Sequence, residues 1–262
     1  MPKCQNFNRT SLLAIVILFQ FILNCYAQDT FINQGIAAGK EGKLDQAIED
    51  FNKGIKLNPN DAVAYENRGI AYYLENNFDQ AIEDFSKVIS LKPNTVKEYV
   101  WRGEAYRKKG NLDQAINDFN QAITLEANDA KAYSARGYAY SLKGDFDKAM
   151  LDCNKAIEIN PNDAMAYNSR GFVYYLKGNM GKAISEYDKA IEMDSNKKGY
   201  YYNRGLAYYS LEQYDKVLAD YKEAIEWKKD KEAYKDFIKY VPEKKPSDTK
   251  NVREEILNLF KD

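Results

Sequence analysis

The chain has 262 residues, with 38 Lys and Arg against 39 Asp and Glu, a net charge of −1 and no histidine. That even balance offers no clustered basic footprint for nucleic acid. Without histidine, neither a Ser-His-Asp arrangement nor a histidine-ligated metal centre can be assembled, and three cysteines are too few for a disulfide framework.

The first 27 residues stand apart from the rest of the chain. Lys3 and Arg9 give a positive start, Leu12 to Leu23 is apolar except for Gln20, and Cys25-Tyr26-Ala27 places small residues where a signal peptidase cuts. This predicts a signal peptide over 1–27, cleavage between Ala27 and Gln28, and an exported (periplasmic or secreted) chain. A spanning helix wants about 20 apolar residues, more than this run supplies. Two alternatives are an uncleaved anchor and acylation of Cys25, either of which would tether the chain to a membrane. Cys4 and Cys25 would leave with the segment, and Cys153 would remain alone at a position of core character.

From Gln28 onward one skeleton returns every 34 residues. Arg-Gly recurs at 68–69, 102–103, 136–137, 170–171 and 204–205, with a degenerate Gln34-Gly35 before them. An aromatic precedes each pair, at Phe31, Tyr65, Tyr99, Tyr133, Tyr167 and Tyr201. From the second copy on, a tyrosine comes after it, at Tyr72, Tyr106, Tyr140, Tyr174 and Tyr208; the first copy has Ala38. Later columns hold Ala47, Ala81, Ala115, Ala149, Ala183 and Val217, then Phe51, Phe85, Phe119, Cys153, Tyr187 and Tyr221. Pro59, Pro93 and Pro161 close three copies.

Self-similarity at this period marks an array, and the columns resemble the tetratricopeptide repeat (TPR) family. The resemblance covers six copies, 28–61, 62–95, 96–129, 130–163, 164–197 and 198–231. It implies an all-α, right-handed α-solenoid of six antiparallel helix-turn-helix hairpins with capping helices at the C-terminal end. The residues read the same way. Apolar positions recur at helical spacing and break at Gly42, Asn76, Gly110, Gly144, Gly178 and Glu212. Glycine and asparagine tolerate the left-handed geometry that ends a helix. One such hairpin cannot bury its apolar face alone, so stacking makes the core. Beyond the sixth copy, 232–241 predicts a capping helix, 242–250 a charged linker and 251–262 an amphipathic helix.

Two further columns are charged. The arginines at 68, 102, 136, 170 and 204 accompany the acids Asp50, Asp84, Asp118, Asp152, Glu186 and Asp220. They can pair within a copy or across a junction. The missing first arginine favours the junction, giving Asp50–Arg68, Asp84–Arg102, Asp118–Arg136, Asp152–Arg170 and Glu186–Arg204 as pairs that set stacking register.

Catalytic constellations are hard to build from this chain. Adjacent carboxylates repeat with the array and read as solvated faces, and the glycines stand singly and form no phosphate loop. The expectation is a non-enzymatic chain without cofactor or metal and without a nucleic-acid partner. The resemblance implies that first helices line a concave groove for a partner's peptide or helix. Its candidates are Asn67, Ile70 and Tyr73; Lys97, Trp101, Glu104 and Arg107; Tyr138 and Ser141; Asn168, Phe172 and Tyr175; Tyr202, Leu206 and Tyr209. Some of those aromatics compete for core packing. A carboxylate clamp of the kind some family members use is incomplete, with Asn67 and Lys97 matching but Ile32, Ile36 and Trp101 departing. The functional expectation is a protein-binding scaffold; the alternative is an assembly subunit of an envelope complex that oligomerises through its convex face or its last helix.

Overall fold

The computed structural model describes residues 26–225, and among them the backbone forms twelve helices and no strand. In chain order they are α1 (26–40), α2 (Leu44–Leu57), α3 (Ala62–Leu74), α4 (Phe78–Leu91), α5 (Val96–Lys108), α6 (Leu112–Leu125), α7 (Ala130–Lys143), α8 (Phe146–Ile159), α9 (Ala164–Leu176), α10 (Met180–Met193), α11 (Lys198–Ser210) and α12 (Tyr214–Ile225). Successive helices pair into hairpins, α1 with α2 through α11 with α12. The boundary between two compact units falls between Leu125 and Glu126, with three of the described hairpins in each. Residues 1–25 of the expected signal segment, and the capping helix, linker and amphipathic helix expected over 232–241, 242–250 and 251–262, lie outside the described residues. No described helix is long and apolar enough to cross a membrane.

Each hairpin turns on one left-handed residue. Gly42, Gly110, Gly144 and Gly178 have φ of 74–87°, and Asn76 and Glu212 adopt φ of 63° and 58° in the same place. The following helix starts within two residues. First helices are capped where the loop supplies an acid. The Asp61 side chain accepts from Val63 and Ala64 N–H, and Asp129 accepts from Lys131 and Ala132 N–H. These bonds satisfy donors that a helix start leaves open.

The core is built where the two helices of a hairpin approach. Ala47, Ala81, Ala115, Ala149 and Ala183 are fully buried, beside Phe51, Phe85, Phe119, Cys153 and Tyr187. The glycine after each arginine is required by this contact. A Cβ on Gly103 would lie 2.7 Å from Phe119 Cε1, and one on Gly171 would lie 2.8 Å from Tyr187 Cε1. The second helices carry a strong apolar face against this seam, while the first helices meet neighbours on more than one side. In the first unit α3 packs between α2 and α4, and in the second α9 packs against α7, α8 and α10.

Candidate functional site

The arginine column is the most ordered polar feature, and it corrects the register expected from sequence. Arg68 holds Asp84 with two bonds, Nε to Oδ2 at 2.8 Å and Nη2 to Oδ1 at 2.6 Å. Arg102 holds Asp118, Arg136 holds Asp152 and Arg204 holds Asp220 in the same bidentate way, and Arg170 holds Glu186 through one oxygen. Every pair lies within one copy. The junction pairs Asp50–Arg68, Asp84–Arg102, Asp118–Arg136, Asp152–Arg170 and Glu186–Arg204 are therefore not what forms.

The reason is geometric. In an antiparallel hairpin, residues equidistant from the turn face each other, and Asn76 is midway between Arg68 and Asp84. Gly110, Gly144, Gly178 and Glu212 bisect the other four pairs. Asp50, opposite Gln34, instead accepts from Gln46 Nε2 at 3.1 Å and Lys53 Nζ at 3.3 Å.

The same guanidinium does reach across junctions, to a column the sequence reading overlooked. Nη1 of Arg68 donates to Asn52 Oδ1 at 2.5 Å, that of Arg102 to Ser86 Oγ at 3.0 Å, that of Arg170 to Asn154 Oδ1 at 2.8 Å and that of Arg204 to Asp188 at 2.6 Å. Each acceptor stands two residues after an acid, on the preceding copy. That spacing was visible in the sequence, but three of the four acceptors, Asn52, Ser86 and Asn154, are uncharged and carry little signal by themselves. Tyrosines one helical turn to either side complete the setting: Arg68 lies 5.3 Å from the ring of Tyr65 and 5.8 Å from that of Tyr72. Burial pushes the Asp84 and Asp220 carboxyls up, against the lowering effect of their arginines.

The residues expected in the groove divide by unit. In the first, Tyr73 packs edge-on to Phe78 and Trp101, and Trp101 stacks over Phe85 at 6.1 Å, so both aromatics join the core around Ala81 and Ala105. Burial pushes the Tyr73 phenol up to about 12. Lys97 is exposed and paired with Glu66, Arg107 binds Glu104 with its nearest contact at 2.6 Å, and Asn67 donates to the Val63 carbonyl. This part of the face is charged.

The second unit differs. Tyr138 on α7 meets Phe172 on α9 at 5.1 Å, and Phe172 stacks with Tyr175 at 6.3 Å. On α11, Tyr202 leans on Tyr221 at 5.9 Å and Tyr209 on Tyr214 at 6.0 Å. These first-helix rings are half-buried: they seal the core and still reach solvent. Asn168 is the exception. It is 6% exposed, and its Oδ1 accepts from Asn203 Nδ2 at 2.8 Å, so it ties α9 to α11 and is not offered outward. Ser141 is likewise buried, donating to the Tyr138 carbonyl.

Among the described residues no group of three or more His, Cys, Asp or Glu could hold a metal ion. Cys153 is fully buried, and burial raises its thiol to about 12, which suppresses the thiolate.

Stacked helical hairpins with a polar seam and an aromatic first-helix face define a helical-repeat interaction protein. Family models described as TPR repeat match residues 40–75, 103–144 and 173–212. Others described as tetratricopeptide repeat match 62–95, 130–163 and 200–226, and 153–185. The chain belongs to the tetratricopeptide repeat family, whose members are in general non-catalytic scaffolds for protein interaction. Among solved structures it is similar to the MamA protein, at 29% identity and a TM-score of 0.55 over 66% of this chain and 95% of that one. A thermophilic TPR protein of Thermus thermophilus shares the fold at 22% identity and a TM-score of 0.58, covering 69% and 98%. So does YrrB, a TPR protein with an unusual peptide-binding site, at 24% and 0.50, covering 64% and 86%. No curated protein matches the chain.

Proposed function

We propose that this chain is an exported scaffold that receives a peptide or helix of a partner protein on the first-helix face, chiefly that of α7, α9 and α11. The observation carrying this is the row of half-buried rings, Tyr138, Phe172, Tyr175, Tyr202 and Tyr209, set on packed helices. Rigid aromatic side chains with polar tips bury much area at small entropic cost, which suits them to anchor a partner. In the first unit, taken by itself, Asn67, Tyr73, Lys97, Trp101 and Arg107 lie on the corresponding first helices, with Tyr73 and Trp101 acting mainly through the core. A protein of the same fold, YrrB, has a peptide-binding site, which supports a peptide as the kind of partner.

Affinity capture with the chain beside a Tyr175→Ala/Tyr209→Ala double variant tests it. The expected outcome is loss of a bound protein in the variant; identical bound sets contradict those two anchors. Export is read from residues 1–27, and mass spectrometry of the chain recovered from its cells tests it. A mature terminus at Gln28 supports cleavage, whereas an intact Met1 contradicts it.

A further inference from the structure

The second helices of the two units differ in two columns that packing leaves free. The exposed Gln46, Gln80 and Gln114 of the first unit are matched, at the same place in each copy, by the exposed Lys148, Lys182 and Lys216 of the second. One helical turn on, Glu49, Glu83 and Asn117 give way to Leu151, Ser185 and Ala219, all exposed. These six positions thus hold two glutamates and no base in the first unit, and three lysines and no acid in the second. The repeat frame and its core are common to both, so they do not dictate the change. The lysines extend over tyrosines, with Lys182 Nζ 5.3 Å from the Tyr174 ring and Lys216 Nζ 5.0 Å from that of Tyr208. Those rings do not require a lysine, because Tyr72 and Tyr106 hold the same column in copies that carry Gln80 and Gln114.

The positive charge is offset unevenly. On α8, Lys148 is bonded to Asp145 at 3.3 Å and Lys155 to Glu158 at 2.9 Å. On α10 and α12, Lys182 and Lys216 make no ion pair among the described residues. Lys189 is 3.7 Å from Glu186, a carboxylate that Arg170 already holds. Arg204 bonds Asp188 on α10 and Asp220 on α12, so one guanidinium joins the two helices.

We propose that the exposed flank of α10 and α12 holds an acidic segment of a partner protein, with Lys182, Lys189 and Lys216 each facing a carboxylate. This is a second surface, on the second helices, and it goes beyond the peptide-binding reading of the first-helix face. Charge complementarity selects an anion, and the neighbouring residues select its class. Acids remain among the lysines, at Glu186, Asp215 and Glu223. A nucleic acid, with a charge about every 1.7 Å of duplex, would bring phosphates against them. A peptide can place its carboxylates only where the lysines are. A membrane surface would want apolar side chains to insert, whereas Ser185 and Ala219 stand between the lysines.

The test uses the chain and a fluorescent, end-capped peptide in which glutamate alternates with serine, beside the same peptide with glutamine for glutamate. Anisotropy titration should show saturable binding of the acidic probe alone, weakening as salt is raised. Lys182→Gln/Lys216→Gln introduces the residue that the first unit carries in this column, and a thermal melt checks that the variant folds. It should weaken binding roughly three- to tenfold. Lys56→Gln/Lys92→Gln removes the same charge from exposed positions of the first unit and should leave binding unchanged, as should Tyr175→Ala/Tyr209→Ala. Equal binding by Lys182→Gln/Lys216→Gln, or an equal loss in the first-unit variant, overturns the inference. Loss in Tyr175→Ala/Tyr209→Ala overturns it as well, by moving the acidic probe to the first-helix face. Binding of phosphatidylglycerol vesicles or of an oligonucleotide, with none of the acidic probe, overturns the choice of a protein segment.

Discussion

Arg68, Arg102, Arg170 and Arg204 each do two jobs with one planar group. Nε and Nη2 close the hairpin onto its own acid, and Nη1 reaches the preceding copy, as from Arg102 to Asp118 and to Ser86. Bidentate geometry suits guanidinium and not an ammonium. Asp118 is 2% exposed, so Asp118→Ala should destabilise the chain by about 1–3 kcal/mol by stranding its partner. A double-mutant cycle read by chemical denaturation should find coupling of Arg102 to Asp118 and almost none to Asp84. The reverse would restore the junction pairing. The glycines separate as sharply. Gly171→Ala drives a methyl into Tyr187 and should cost about 1–3 kcal/mol. Gly181→Ala, on α10 with open space around it, should stabilise by about 0.5–1 kcal/mol in the same denaturation experiment.

At the scale of elements, first and second helices are held by different means. Second helices have a concentrated apolar face, while three first helices, α3, α7 and α9, are pinned at their starts by Asp61, Asp129 and Asp163. Asp129→Ala should lower the denaturation midpoint by an amount equivalent to about 1 kcal/mol; no change would mean that tertiary packing alone sets the start of α7. Most of this level was legible in the sequence, because the copies vote together. Six turn residues at one spacing locate every hairpin, even where Asn76 and Glu212 replace glycine. Pair direction was not read, although the turn positions held the answer: Arg68 and Asp84 are symmetric about Asn76. The absence of an arginine from the first copy pulled the reading toward the junction. The face residues were legible as positions but not as environments. Asn168 and Ser141 fall on the helical stripe yet are consumed by hydrogen bonds, and nothing in a single chain's spacing distinguishes a half-buried ring from a sealed one.

At the scale of the molecule, stability rests on packing, and the buried hydroxyls and thiol make it sensitive to alkali. Burial pushes Tyr73 and Tyr200 up to about 12, Tyr187 and Tyr221 well above the ordinary value, and Cys153 to about 12. Each stays protonated in the fold after its unfolded counterpart ionises. Their contribution is whole below the unfolded values, near 9 for the thiol and 10 for the phenols, and drains as pH rises toward and past 12. Within that window each group costs about 1.4 kcal/mol per pH unit. Thermal unfolding measured against pH should therefore show a midpoint that is steady to about pH 9 and then falls steeply, and a flat profile to about pH 12 would contradict buried phenols.

The central claim is that the first-helix face receives the partner. Hydroxyl-radical footprinting of the chain with and without a captured partner tests it side chain by side chain. Leu151, on the second helix α8 and 71% exposed, is the internal reference. Protection of Tyr138, Phe172, Tyr175 and Tyr209 with Leu151 unchanged is the predicted result; protection at Leu151 with those four rings unchanged would contradict it.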